Sequence, residues 1–322
     1  MNETTIAIGC LVQWYEVDIV GDYIKTLKSA LSNYEGIVVV DITLSMNQDL
    51  EQTTLDAHEF TALKWKLEDT LSKLPNCNFR ISYDLVTIAD YRREFNDKYC
   101  TEVDVLVWGE SDMLVPKSMF NTIDAVHSGV GNTTPKYIST FGISKMWDSS
   151  WTPLEHPKFT VKEHSDSTED WWGVRYTNTI EDMASINEGI NNGTVAPELV
   201  TLNNLKFNGC GLVISSEIIK AGVNIPKSVF FVHEDTAFLH MVHKCLPQTT
   251  QYHVKNIYMP HNRKHPKKRA YILGEEGLDK TDMGKLRKSH WWYQLANKFS
   301  EENCYNLFNP LYKSKTWKDI FK

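Results

Sequence analysis

The sequence predicts an α/β fold: a mostly parallel sheet flanked by helices, followed by a basic helical extension. Three observations lead there. Several strand candidates are continuous apolar, β-branched runs, the pattern of strands buried on both faces. Stretches with helical spacing of apolar residues separate these runs, as in β-α-β units with right-handed crossovers. The charge is lopsided: residues 251–322 hold 15 of the 34 Lys/Arg but only 7 of the 41 Asp/Glu.

The elements follow in order. Thr5–Glu16, TIAIGCLVQWYE, reads as a first strand with a loop after it. Val17, Val20, Ile24, Leu27 and Leu31 then repeat at helical spacing, and Gly36 stops the helix. Gly36–Ser45 is a second buried strand, predicted to end near Asp41. Residues 55–74 form a helix that turns Leu55, Phe60, Leu63, Leu67, Leu71 and Leu74 inward, with Pro75 as its stop. Phe79–Thr87 is a third strand, and IADYRREFNDKY a short helix. That helix leads into Val103–Pro116, VDVLVWGESDMLVP, a buried strand that ends in the acidic turn Gly109-Glu110-Ser111-Asp112. A helix over Phe120–Val130 and a strand in KYISTFGIS come next. Residues 180–198 read as polar helix with Asn/Gly breaks. Leu205–Val223 reads as a Gly-rich turn, a strand and a helix starting near Ser215. His233-Glu234-Asp235 opens an amphipathic helix, Asn256–Tyr271 gives a strand and a basic loop, and KLRKSHWWYQLANKF gives a tail helix.

Length and composition narrow the function. The chain has 322 residues, 42% of them hydrophobic, enough for one large domain or two small ones. No apolar run is long enough to span a bilayer, and MNETTIAIGC leads straight into a strand, so a cytoplasmic protein without a signal peptide is expected. Six scattered cysteines fit reduced thiols rather than a zinc site or a disulfide framework. A net charge of −7 argues against indiscriminate nucleic-acid binding, yet the last 72 residues alone carry a balance of +8 and face something anionic or form a solvated basic face.

The candidate site residues cluster at predicted strand ends, where open α/β sheets bind ligands. Glu110 and Asp112 are placed to reach one cation, or simply to finish a strand in a polar turn. Asp41 is suited to accept from a ribose or a pyrimidine N–H, or to cap its strand. One of Arg92 and Arg93 is expected to pair with a diphosphate or hold the acidic turn, the other to be a surface arginine. Glu234 and Asp235 suit a helix dipole, or make a base with a supporting acid. His261 and His265 lie in a Lys/Arg-rich loop suited to metal or phosphate. Trp171 and Trp172 are candidates to stack on a sugar or base, or to fill a core. The tail helix interleaves basic residues with Trp291 and Trp292, either to meet a nucleic-acid backbone or to dock the helix on the core.

Taken together, these motifs resemble the GT-A glycosyltransferases, a Rossmann-like fold, and in particular their family-2-like group, over roughly residues 5 to 270. Glu16 stands in the place of the acid after the first strand, and Asp41 in that of the nucleotide-binding Asp. Ala89 to Arg92 matches the Ala-x-x-Arg helix. Glu110-Ser111-Asp112 matches Asp-x-Asp with a departure in its first acid. NGCGLVISSEII and VHEDTAF match the Gly-rich acceptor strand and the Glu-Asp helix start. His261 or His265 matches a late metal-binding His.

The resemblance implies a catalytic domain over 1–275, split into a nucleotide-sugar half (1–145) and an acceptor half (146–275), with 276–322 as a helical extension. It implies an inverting transfer from a nucleotide sugar, a UDP-sugar in first place. Mn²⁺ or Mg²⁺ would sit on Asp112 and a His. Asp235 would be the base with Glu234 beside it, and Arg263 and Lys267 would assist at the diphosphate. The small, Lys- and Trp-rich form looks like a bacteriophage enzyme. The leading acceptor is 5-hydroxymethylcytosine in DNA, gripped by Lys268, Arg269, Trp291 and Trp292 around a flipped base. A surface-polysaccharide glycan is the rival acceptor. A non-catalytic nucleotide- or DNA-binding protein on the same scaffold is the alternative from another class. A nucleotidyltransferase would want a Gly-rich basic loop after the first strand, which CLVQWYEVD lacks.

Overall fold

The computed structural model describes residues 4–47, 56–74, 77–143, 188, 192, 196–202, 209–259 and 291–322. Their strands are β1 (Ile6–Gln13), β2 (Val38–Ser45), β3 (Cys77–Ser82), β4 (Val105–Trp108), β5 (Tyr137–Ile143), β6 (Glu198–Thr201), β7 (Leu212–Ser215) and β8 (Thr250–Met259). Their helices, numbered in chain order, are α1 (Val17–Leu31), α2 (Ala57–Leu71), α3 (Ile88–Tyr99), α4 (Met119–Val130), α5 (Ser216–Lys220), α6 (Glu234–Cys245), α7 (Trp291–Tyr305) and α8 (Trp317–Ile320). Among the described residues no helix is long and apolar enough to cross a membrane.

The strands form one mixed sheet in the order β3-β2-β1-β4-β7-β5-β8-β6. β3, β2, β1 and β4 run parallel, as do β5 and β8. β7 runs antiparallel between β4 and β5, and β6 antiparallel on the edge. Side chains on a strand alternate between faces, and both faces here are covered. Ile6, Ile8, Cys10 and Val12 of β1 join one core with Tyr23 and Leu27 of α1, Leu67 and Leu71 of α2, and Phe120 of α4. Ala7 and Leu11 join the opposite core with Tyr91 and Phe95 of α3, Ile218 of α5 and Phe238 of α6. The α/β class predicted from the apolar runs is the class observed.

The departures lie at element ends and have local causes. β3 is shorter than predicted and stops at Ser82, because Thr87 is the N-cap of α3 and accepts from Asp90 N at 3.1 Å. β8 begins at Thr250, six residues before the predicted strand, in register with β5 from Tyr137. β6 is an edge strand that the polar reading of 180–198 does not anticipate. α7 runs on to Tyr305, past the predicted end at Phe299.

The C-terminal helices pack on the domain through a separate aromatic cluster. Trp292 and Ala296 of α7 and Ile320 of α8 are buried with Phe230 and Phe231, and Trp317 packs against them. Phe231 meets Trp292 at 6.0 Å and Trp317 at 5.8 Å, both edge-on, an arrangement aromatic pairs favour.

Candidate active site

The strand order reverses at β1, which has β2 on one side and β4 on the other. Such a switch point opens a crevice at the C-terminal strand ends. β1 leaves the sheet through the turn Trp14–Glu16. The buried Glu16 fastens that turn by accepting from Gln13 N at 2.7 Å. β4 leaves through the acidic turn. Gly109 N donates to Gly9 O at 2.7 Å, and Met113 N donates to Glu110 O at 3.0 Å, which puts Ser111 and Asp112 at the centre of a tight turn. Asp112 is 4% exposed, so the turn holds this carboxylate inside the protein. β7 arrives antiparallel, with Gly211 N on Trp108 O at 2.9 Å, and brings Gly209 and Cys210 to the same end.

Arg92 joins these pieces. Its Nη1 donates to Glu234 Oε1 at 2.5 Å, and its Nη2 to Glu110 Oε1 and to Gly209 O, both at 3.0 Å. The guanidinium lies 4.8 Å from the centroid of the Trp108 ring. Side-chain exposure is 3% for Arg92, 9% for Glu234 and 25% for Glu110, so this is a buried bridge between two acids distant in sequence. A Cβ built on Gly209 would fall 2.7 Å from Arg92 Nη1 and 3.2 Å from Asp235 Oδ2, so only glycine lets this backbone lie against both.

The charges do not cancel, because one guanidinium faces three carboxylates. Burial disfavours the charged form of Arg92, yet Glu234, Glu110 and Asp235 together hold it above its ordinary value. Burial pushes the Glu234 carboxyl up to about 7 against the pull of Arg92, with Asp235 and Glu110 adding to the rise. Asp235, half-buried beside it, accepts from Thr236 N at 2.7 Å.

The backbone at this point is strained. His233 precedes Glu234 at φ 65°, and it is the one non-glycine residue with positive φ among the described residues. A non-glycine residue held there persists only where its surroundings impose it, and such residues gather at functional sites.

The structure therefore brings Arg92, Glu110, Glu234 and Asp235 together, with Asp112 on the same turn as Glu110. Several expectations need correction. Asp41 is the fourth residue of β2, opposite Gly9, and not at the strand's end, because the apolar run continues through Ile42 and Leu44. Its carboxylate accepts from Tyr99 Oη at 2.7 Å, Lys98 Nζ at 3.0 Å and Tyr91 Oη at 3.1 Å, so it anchors α3 to the sheet. Of the two roles open to Arg92, it takes that of holding the acidic turn, through Glu110, and both its terminal nitrogens are engaged by protein acceptors. Arg93 is no surface arginine: it donates to the carbonyls of Ile225 at 2.9 Å, Pro226 at 3.1 Å and Val229 at 2.8 Å. Trp292 is 3% exposed within the aromatic cluster and offers no face to DNA. Trp291 is 57% exposed and packs edge-on against Phe321.

His261, Arg263, His265, Lys267, Lys268, Arg269, Trp171 and Trp172 lie outside the described residues. Among the described residues no three His, Cys, Asp or Glu are grouped to hold a metal ion. The donors at hand are the Asp112 and Glu110 carboxylates, with Glu110 shared with Arg92. One or two carboxylates, completed by phosphate and water, are a donor set that suits Mg²⁺ or a similar hard cation.

No protein-family model and no curated protein matches the sequence. Solved structures similar to it include TarS 1-349 of S. aureus, at 12% identity and a TM-score of 0.44, over 95% of this chain and 76% of that one. Mannosyl-3-phosphoglycerate synthase from Rubrobacter xylanophilus matches at 9% identity and a TM-score of 0.44, over 99% and 80%. Glucosyl-3-phosphoglycerate synthase from Mycobacterium tuberculosis, in complex with Mn²⁺, UDP and phosphoglyceric acid, matches at 10% identity and a TM-score of 0.43, over 87% and 80%.

Proposed function

We propose that the chain is a glycosyltransferase that moves a sugar from a nucleoside diphosphate, in first place UDP, to a hydroxyl acceptor with inversion. The observation that carries this reading is the Arg92 bridge. It ties the acidic turn at the end of β4, beside the switch point of the sheet, to the Glu234-Asp235 start of α6. A nucleotide-sugar site needs both halves at one crevice: acids for a cation at the diphosphate, and a base for the acceptor.

In this reading Asp112, with Glu110, would hold a divalent cation, and His261 or His265 would be its further ligand. That cation supplies charge neutralisation at the leaving diphosphate. Glu16 shapes the loop after β1 against the nucleotide, with Arg263 and Lys267 assisting. Asp235 takes the acceptor proton as the hydroxyl attacks the anomeric carbon; its carboxylate is half-buried, while Glu234 beside it is clamped by Arg92 and pushed up to about 7. Glu234 is then the supporting acid. Arg92 acts by holding Glu234 and Glu110, not by touching phosphate.

The acceptor is a polyanion in this reading, with 5-hydroxymethylcytosine in phage DNA as the first candidate. Its support is the basic balance of residues 251–322. The burial of Trp292 removes one of the contacts expected for it, and leaves Trp171, Trp172, Lys268, Arg269 and Trp291 as the candidates. A screen of nucleotide sugars against hydroxymethylated DNA and simple glycans, with Mn²⁺ and read by mass, tests this. Incorporation into the DNA is the expected result. Labelling of glycans alone would sink the DNA acceptor and keep the transferase. Absence of both transfer and metal-dependent donor hydrolysis would leave a binding protein on this scaffold.

A further inference from the structure

The described residues of the C-terminal extension carry a second feature that their packing alone does not require. α7 directs two polar side chains at the segment that delivers His233, Glu234 and Asp235. Ser300 Oγ donates to Val232 O at 2.5 Å and accepts from Phe231 N at 3.4 Å. Asn303 Nδ2 donates to Ser228 O at 2.6 Å and to Lys315 O at 2.9 Å. Asn303 Oδ1 accepts from Lys315 N at 2.9 Å and Tyr312 Oη at 3.0 Å. Both residues are fully buried, Ser300 at 0% and Asn303 at 1% exposure. From the other side, Arg93 of α3 holds the carbonyls of the same segment up to Val229. The chain from 225 to 232 is thus fixed by two helices from different parts of the sequence. Directly after it comes the left-handed His233, a conformation that surrounding structure must impose.

We infer that Ser300 and Asn303 are positioning residues for the Glu234-Asp235 turn, so that the C-terminal extension is a part of the active site. The inference rests on the reading of Asp235 as the base. α7 acts through the backbone of Ser228–Val232: it sets the φ of His233, and through it the direction in which α6 presents its first two acids. An error of about 1 Å in the placement of a reacting group lowers a rate by roughly 100-fold, so a clamp of this kind is expected to govern turnover and not donor affinity.

Full-length Ser300→Ala and Asn303→Asp proteins test this, with Gln294→Ala on the exposed face of α7 as control. Asn303→Asp keeps the acceptor oxygen and removes the amide donor facing Ser228 O. Three quantities are compared with the parent protein: amide hydrogen exchange of residues 228–236, affinity for UDP with Mn²⁺, and kcat, KM and pH profile on the donor–acceptor pair found by the screen. The expected result is faster exchange over 228–236 (joined in Asn303→Asp by the residues around Lys315, whose carbonyl loses the same amide), UDP affinity unchanged, and kcat about 10- to 100-fold lower with KM for the donor held and the pH profile displaced. Gln294→Ala matches the parent throughout. Unchanged exchange in both variants would overturn the clamp, and faster exchange with unchanged kcat would overturn its role in turnover. Failure of the transferase reading looks different: the parent protein itself transfers nothing, while the exchange difference persists.

Discussion

The acidic turn after β4 and the acidic start of α6 meet the same guanidinium, and they are built by opposite means. The β4 turn is closed by its own residues, at the end of a strand ladder. Its position follows from the register of β4 on β1, from Gly109 extending the ladder, and from one hydrogen bond between Met113 and Glu110. The α6 start is not local. It follows a segment held by Arg93 from α3 and by Ser300 and Asn303 from α7, and it passes through a strained residue. A turn closed by its own neighbours tolerates change elsewhere in the chain. A turn imposed from outside responds to changes up to 136 residues away, the separation of Arg93 from Val229.

Breaking the joint between the two turns has the largest expected effect. Arg92→Met leaves Glu110 and Glu234 without their cation, and breaking a buried pair of this kind costs about 3–5 kcal/mol, read by urea unfolding. Arg92→Lys recovers little, because one ammonium cannot bridge two carboxylates and a carbonyl in the fork geometry. Gly209→Ala comes next. Its methyl presses on Arg92 Nη1 and Asp235 Oδ2, and forcing a group into a packed site costs about 1–3 kcal/mol. The expected loss is seen in the melting temperature.

The smallest effects sharpen the contrast. His233→Gly relieves the left-handed backbone and should raise stability by about 1 kcal/mol, while it loosens the turn and lowers turnover. No residue of the β4 turn offers the same trade. For Glu234 the sign is fixed by its carboxyl, up to about 7 in the folded protein against an ordinary 4.5. Between those values the folded protein binds a proton that the unfolded chain releases, so stability falls as pH rises through that window. Denaturation curves of Glu234→Gln against pH should lack that slope. An identical slope in variant and parent would assign the titration to another group.

The same division explains what the sequence made legible. The β1-α1-β2 unit, β4 with its acidic turn, and the Glu-Asp helix start were readable, because apolar runs, glycines and first-turn acids are local signals. Arg92 was readable as one of two candidates. Its neighbour Arg93 was misread, since nothing local marks an arginine that donates to carbonyls more than 130 residues away. The place of Asp41 in its strand was misread because a strand buried on both faces tolerates one carboxylate when two tyrosines and a lysine from α3 meet it. Trp292 was misread because a basic, aromatic helix looks alike whether it faces a polyanion or a hydrophobic wall. Phe230 and Phe231, some 60 residues earlier, and Trp317 and Ile320, some 25 later, decide that. Ser300 and Asn303 gave no signal at all, being small polar residues past the predicted end of the tail helix.

The most direct measurement of the central claim is transfer by Asp112→Asn and Asp235→Asn proteins, each shown to be folded, on the donor–acceptor pair that the parent protein uses. The account predicts that Asp235→Asn binds UDP with Mn²⁺ as the parent does and loses about 100- to 10,000-fold in kcat, while Asp112→Asn loses metal-dependent UDP binding along with transfer. Transfer at parental rates by both folded variants would contradict it.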